Sequence, residues 1–244
     1  MSYYDYNPQR TPDGTGAPPW LGAQIDAGLR AYMQRVYSYM AGGLALTGIV
    51  AYAAAASGFY QSIAGTPLIW LVMLAPLGFV LALSFGVQRM SAATAMLLFW
   101  IYAAVMGLSL GGIFLVYTGA SIARVFFITA ATYGAMSLYG YTTKSDLSGF
   151  GSFLMMGLIG IVIASLVNIF VGSSALQFAI SVIGVLVFVG LTAYDTQRIK
   201  EMYLGSDSAE IADKKAVMGA LALYLDFINL FMMLLQLFGQ RRDN

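Results

Sequence analysis

From residue 36 onward, long apolar stretches alternate with short polar links. Seven apolar runs stand out, at 36–57, 68–87, 94–118, 125–141, 150–171, 176–194 and 216–238. About 20 residues at 1.5 Å each cross a 30 Å hydrocarbon core. The pattern therefore predicts seven transmembrane helices. The fourth, at 125–141, is short enough to tilt or to re-enter. Ahead of them, Leu21, Ile25, Leu29, Tyr32 and Val36 recur at helical spacing, with Gln24, Asp26, Arg30 and Arg35 between. That spacing predicts an amphipathic lead-in helix over 21–35, lying at the membrane surface. Residues 1–20 hold four of the six prolines together with Tyr3, Tyr4 and Tyr6, and read as a disordered tail. The expected division is a tail at 1–20, a lead-in at 21–35 and a seven-helix membrane domain over 36–240.

Smaller signals punctuate the runs. Thr66-Pro67 predicts a helix start with Thr66 as cap, and Pro76 a kink in the second span. Gly107 with Gly111, and Gly157 with Gly160, predict close helix packing. Asn168 and Asn229 read as hydrogen-bonding links between helices.

Composition sharpens the class. Hydrophobic residues make up 59% of the 244, and charged residues 9%. Soluble domains have about 25% charged residues, so lipid is the expected solvent. The net charge is +1 with no basic block, which excludes nucleic-acid binding. Cys and His are both absent. Disulfides, thiol chemistry, Ser-His and Cys-His catalysis and His-ligated metals are thereby excluded. Proton chemistry must fall on carboxylates, Tyr or Lys. With the N-terminus inside, the cytoplasmic segments carry Arg10, Arg30, Arg35, Arg89, Lys144, Arg198, Lys200, Lys214 and Lys215. The other side carries Arg124, Arg241 and Arg242. That asymmetry predicts a cytoplasmic N-terminus and an external C-terminus.

Two charges break the apolar pattern. No acidic residue occurs between Val36 and Asp146, yet Asp195 and Asp226 fall within the last two spans. An Asp at a membrane helix centre costs about 2.5–3.5 kcal/mol, and such residues mark a cavity, a partner or a pathway. The two are equidistant from the centre of the polar link at 205–216. In an antiparallel hairpin they share a depth of roughly 15 Å from the cytoplasmic end. This requires the sixth helix to continue past Tyr194 to about Tyr203. If the carboxyls face each other, they cannot both ionise freely and titrate as a unit. Arg89, at the cytoplasmic end of the second span, is either a snorkelling anchor or a counter-ion for the pair. An intramembrane aspartyl protease is disfavoured, because Leu223-Tyr224-Leu225-Asp226 replaces the Gly-x-Gly-Asp it requires. No enzyme activity, cofactor or metal-ligand set is expected.

Leu223-Tyr224-Leu225-Asp226-Phe227-Ile228-Asn229-Leu230-Phe231 resembles the C-terminal signature of the Bax inhibitor-1 family. Tyr194-Asp195-Thr196-Gln197 with Ile199-Lys200 resembles the family's motif in the preceding helix. Leu29-Arg30-Ala31-Tyr32-Met33 and Val36-Tyr37-Ser38-Tyr39-Met40 resemble its bacterial, YccA-like branch. The resemblance implies an all-α bundle of seven transmembrane helices with the last helix central. It implies a pH-sensitive calcium leak in the inner membrane, gated by Asp195 and Asp226, with Tyr194, Tyr224 and Asn229 as supporting polar residues. In the family's closed state an arginine of the second helix latches to the pair, and Arg89 matches it. Some relatives carry a glutamate earlier in that helix, where this chain has Leu77-Gly78. Calcium enters only as a permeating ion. The resemblance also links bacterial relatives to restraint of an AAA-type membrane protease, which makes a regulatory binding role the alternative, acting through the N-terminal tail or a cytoplasmic loop.

Overall fold

A computed structural model describes residues 19–63 and 65–242, with the side chains of residues 19–26 and Gln88 excepted. The tail expected at 1–20 lies almost wholly outside the described residues. The chain is helical: α1 (Pro19–Ala56), α2 (Phe59–Ile63), α3 (Leu68–Gly86), α4 (Ala92–Leu110), α5 (Ile113–Val116), α6 (Gly119–Thr142), α7 (Ser148–Val171), α8 (Ser174–Glu201) and α9 (Ala209–Phe238). Seven spans in it are long and apolar enough to cross a membrane. α1 runs unbroken through Arg35 and Val36, so lead-in and first span are one helix. Its residues Tyr32, Met33 and Val36 are buried.

Local chemistry sets the boundaries. Ser91, Thr118, Ser173 and Ser208 each precede a helix and accept from the backbone N–H three residues on. Such caps satisfy N–H groups that have no partner within the helix. Thr66 does not cap α3, contrary to expectation. Its hydroxyl turns back to the Ile63 carbonyl, and Pro67 occupies the cap position. α3 continues through Pro76. The third span is interrupted at Gly111-Gly112, between α4 and α5. The fourth span is a full helix of 24 residues rather than a short or re-entrant one, because the polar-flanked turns at Gly119–Arg124 are helical too. Ahead of α7, the hydroxyl and N–H of Ser148 donate to Asp146 and hold that exposed carboxyl below the usual carboxylate range. α7 ends on Gly172, at φ 64°, a left-handed conformation that glycine takes without strain.

α9 is the centre of the bundle. It packs against α1, α4, α6 and α8, and 67% of its apolar window is buried, against 44% or less for any other span. α3 and α7 lie at the periphery. Glycines set the closest approaches. A Cβ at Gly107 would meet the backbone of Thr47, one at Gly111 would meet Ala51 and Tyr60, and one at Gly140 would meet the Ala193 carbonyl. Gly157 packs on Val187, but Gly160 faces open space, so the second glycine pair is not a packing motif. Seven spans put α1's start and α9's end on opposite faces. One face carries Arg30, Arg35, Arg89, Lys144, Arg198, Lys200, Lys214 and Lys215, and is called the basic end below. The other carries Arg124, Arg241 and Arg242. There Gln240 and Arg241 pair with the α5–α6 turn, Thr118 N–H donating to the Gln240 carbonyl.

Candidate functional site: a buried carboxyl pair

α8 and α9 form an antiparallel pair whose register is fixed by Ile199 on Gly219, Gly184 on Met233 and Ser181 hydrogen-bonded to Gln236. This register brings Asp195 to Asp226. Their carboxyls meet within hydrogen-bond reach, Asp226 buried and Asp195 partly so. α8 does continue past Tyr194, to Glu201. The turn is tighter than the polar link suggested: α9 starts at Ala209, and its first two turns are polar. Lys215 there folds the preceding loop back, donating to Asp207 and to the Met202 carbonyl. Asp226 Oδ2 is buried with no hydrogen-bond partner.

Four consecutive residues of α8 point in four directions, because each advances about 100° around the helix. Tyr194 packs on Gly151 of α7. Asp195 meets α9. Thr196 hydrogen-bonds Ser137 of α6 at 3.0 Å. Gln197 clamps the α6–α7 loop, accepting from Leu147 N–H at 2.9 Å and donating to the Ser145 carbonyl at 2.8 Å. On α9, Tyr224 turns away from the pair. Its hydroxyl meets Thr47 of α1 at 2.6 Å, and its ring packs edge-on against Phe99 and Tyr102 of α4. Asn229 donates to the Leu225 carbonyl of its own helix, so it joins no second helix. Asn168 does link helices, donating to Gln177 of α8.

Residues that the sequence did not single out complete the site. Tyr133 of α6, buried, faces both carboxyls and touches Ser137. Its hydroxyl donates to the Met40 thioether at 3.3 Å, a weak acceptor. Ser137 also hydrogen-bonds the Tyr37 hydroxyl of α1, at 2.7 Å. Arg198, one turn beyond Asp195 on α8, is the cation facing the pair. Arg89 is elsewhere. It ends a 3-10 turn after α3, exposed, with no ion pair among the described residues, and α3 packs on α4 rather than on α8 or α9. Tyr133 and Ser137 gave no signal because Tyr and Ser inside an apolar run look like interfacial or packing residues. Beside the pair, α1 and α6 both rest on α9 but splay apart. They leave a cavity of about 1160 Å³, mostly apolar, whose polar lining includes Arg30, Gln34, Tyr37, Tyr133 and Ser137. Among the described residues no group of three or more carboxylates gathers to hold a metal.

A family model described as "Inhibitor of apoptosis-promoting Bax1" matches residues 29–243, which span all seven transmembrane helices. The chain belongs to the Bax inhibitor-1 family. It is 53% identical to "Inner membrane protein YbhL" of Escherichia coli (strain K12), over 90% of this chain and 95% of that protein. A protein of Rickettsia prowazekii (strain Madrid E) is 51% identical over 90% of this chain and 93% of its own length. A membrane protein of Streptococcus pyogenes is 36% identical over 89% and 96% respectively. The resemblance first seen in the two aspartate motifs thus extends over the whole bundle.

Proposed function

We infer that the protein is a proton-responsive cation leak path of the bacterial inner membrane, with Asp195 and Asp226 as its sensor and gate. The observation that carries this reading is the contact between the buried Asp226 carboxyl and the partly buried Asp195 carboxyl, with Asp226 Oδ2 orphaned. Two carboxylates have only acceptors, so a hydrogen bond between them needs one proton. Gaining or losing that proton changes the local charge in a low-dielectric bundle, and the α8–α9 contact is the element it biases. Calcium is the candidate permeating ion by likeness to the family. The inner-membrane assignment is supported by the printed name of the Escherichia coli relative. The basic end is assigned to the cytoplasm by the excess of Lys and Arg there.

Arg198 already faces the pair, whereas Arg89 ends a turn after α3, which packs on α4. The alternative, restraint of an AAA-type membrane protease, rests on the N-terminal tail, which lies outside the described residues, or on a cytoplasmic loop. Purified protein in liposomes tests the leak reading. Cation flux must respond to pH in the wild type and lose that response in Asp195→Asn and Asp226→Asn. No flux above protein-free liposomes at any pH would leave the partner reading in its place.

A further inference from the structure

The cavity between α1 and α6 is a trough that runs the depth of a membrane. From Arg30 to Ala51 its α1 wall is about 32 Å long, and from Tyr141 to Gly119 its α6 wall is about 33 Å, at 1.5 Å per residue. The hydrocarbon core is about 30 Å thick. α9 supplies the floor through Phe227, Ile228 and Phe231. The side away from α9 is uncovered. Ala41, Ala45 and Gly48 of α1, with Phe127, Gly134 and Leu138 of α6, line the trough and are exposed.

Two features set the trough apart from ordinary lipid-facing surface. The first is room. Ala41, Ala45 and Gly48 fall at i, i+4 and i+7, and Ala123, Ala130 and Gly134 at i, i+7 and i+11, so each helix presents a face of small residues. Such faces usually let membrane helices close on each other. Here the helices are held by side chains, Tyr37 to Ser137 and Met40 to Tyr133, and a Cβ at Gly48 or Gly134 would meet nothing within 4 Å. About 1160 Å³ is left between them. Packed proteins hold few voids larger than a water, so an apolar space of this size calls for an occupant from outside the chain. The second feature is polarity. Among the described residues Arg30 is the one charged side chain lining the trough, and Gln34 lies one turn further along the same face. At the opposite end the lining is apolar, with Ala51, Ile113 and Phe114. An occupant with one anionic head and an apolar tail therefore fits in one direction only, head at the basic end.

We propose that the trough binds one anionic phospholipid from the leaflet at the basic end, with its phosphate on Arg30 and Gln34 and an acyl chain lying between α1 and α6. The planar guanidinium suits a phosphate, which it can hold by two parallel hydrogen bonds. One chain reaches across half the core, about 15 Å. From Arg30 that carries it past Tyr37 to the level of Met40, about 15 Å along α1. Gly134 lies within this reach, about 10 Å from Tyr141, whereas Gly48 lies beyond it, about 27 Å from Arg30. Binding there does not depend on whether the protein conducts ions.

The test is native mass spectrometry of the full-length protein, delipidated in detergent and titrated with phosphatidylglycerol or phosphatidylcholine. The wild type should retain one phosphatidylglycerol under conditions that strip phosphatidylcholine. Arg30→Gln should reduce that preference about fivefold, the effect of one basic residue beside an anionic headgroup, and leave phosphatidylcholine binding alone. Arg89→Gln removes an exposed cation of the same end that does not line the trough, and should keep the preference. Gly134→Leu puts a side chain in the path of the acyl chain and should weaken binding of both lipids by about tenfold. Gly48→Leu, beyond the chain's reach, should leave binding unchanged. Both leucines enter open space and replace glycine by a better helix former, so the fold is kept. Equal retention of the two lipids by the wild type would overturn the proposal. So would an equal loss of preference in Arg30→Gln and Arg89→Gln, which is what a general basic field produces. Wild-type binding in Gly134→Leu would put the lipid on another surface and overturn it as well.

Discussion

Asp226 Oδ2 is a buried oxygen without a donor, and an unsatisfied buried polar atom costs about 1–3 kcal/mol. Asp195 beside it supplies the partner once a proton is present. The cation facing the pair is Arg198, one turn away on the same helix and exposed. Its attraction favours the ionised pair. Arg198→Gln should therefore move the flux–pH profile toward higher pH. The displacement should be small, because an exposed charge is screened. Arg89 is exposed at the end of α3, a helix that packs on α4. Leak per molecule should be unchanged in Arg89→Ala, with any effect falling on insertion or yield. Flux normalised to protein amount separates the two arginines. A raised normalised leak in Arg89→Ala would restore the latch that the family resemblance implies.

α8 serves as the hub among the elements, because four adjacent residues, Tyr194 to Gln197, reach α7, α9, α6 and the α6–α7 loop. Gly140 is what lets α6 come close enough: a Cβ there would strike the Ala193 carbonyl, one turn from the Ser137–Thr196 hydrogen bond. Gly140→Ala should destabilise the bundle by about 1–3 kcal/mol through overpacking, read as a lower unfolding midpoint in detergent. Gln197→Ala should act differently. It removes two hydrogen bonds to the loop, so hydrogen exchange should rise at Leu147, whose N–H loses its acceptor, while the α8–α9 contact persists. The Asp146 cap beside that loop has its carboxyl held low. Its contribution is present above the usual carboxylate range and disappears as pH falls through the lowered value. The α8–α9 register was legible in the sequence from the equal distances of Asp195 and Asp226 from the polar link. The true start of α9 was not, because its polar first turns look like loop when only hydropathy is read. The break at Gly111-Gly112 was hidden for the opposite reason, since the residues on both sides are apolar.

For the molecule as a whole, the seven apolar runs carried the fold. Lipid demands that every backbone group be satisfied within its own span, so span number and length are written in hydropathy. The two aspartates carried the centre of the site, because charge in an apolar run is rare enough to be noticed. The surrounding hydroxyls were illegible, since their meaning depends on which helices α9 draws together. Seven spans with the basic end inside require the chain termini to be on opposite sides. A reporter active only in the cytoplasm, fused after Asn244, should be silent, while the same reporter before Met1 should be active. Activity at both ends would contradict the seven-span topology. The central claim is that the carboxyl pair senses protons, and the most direct test is cation flux from liposomes as a function of pH. Asp195→Asn and Asp226→Asn should each abolish most of the pH dependence, because the two carboxyls titrate as a unit. Wild-type pH profiles in both variants would place the sensor elsewhere and contradict the claim.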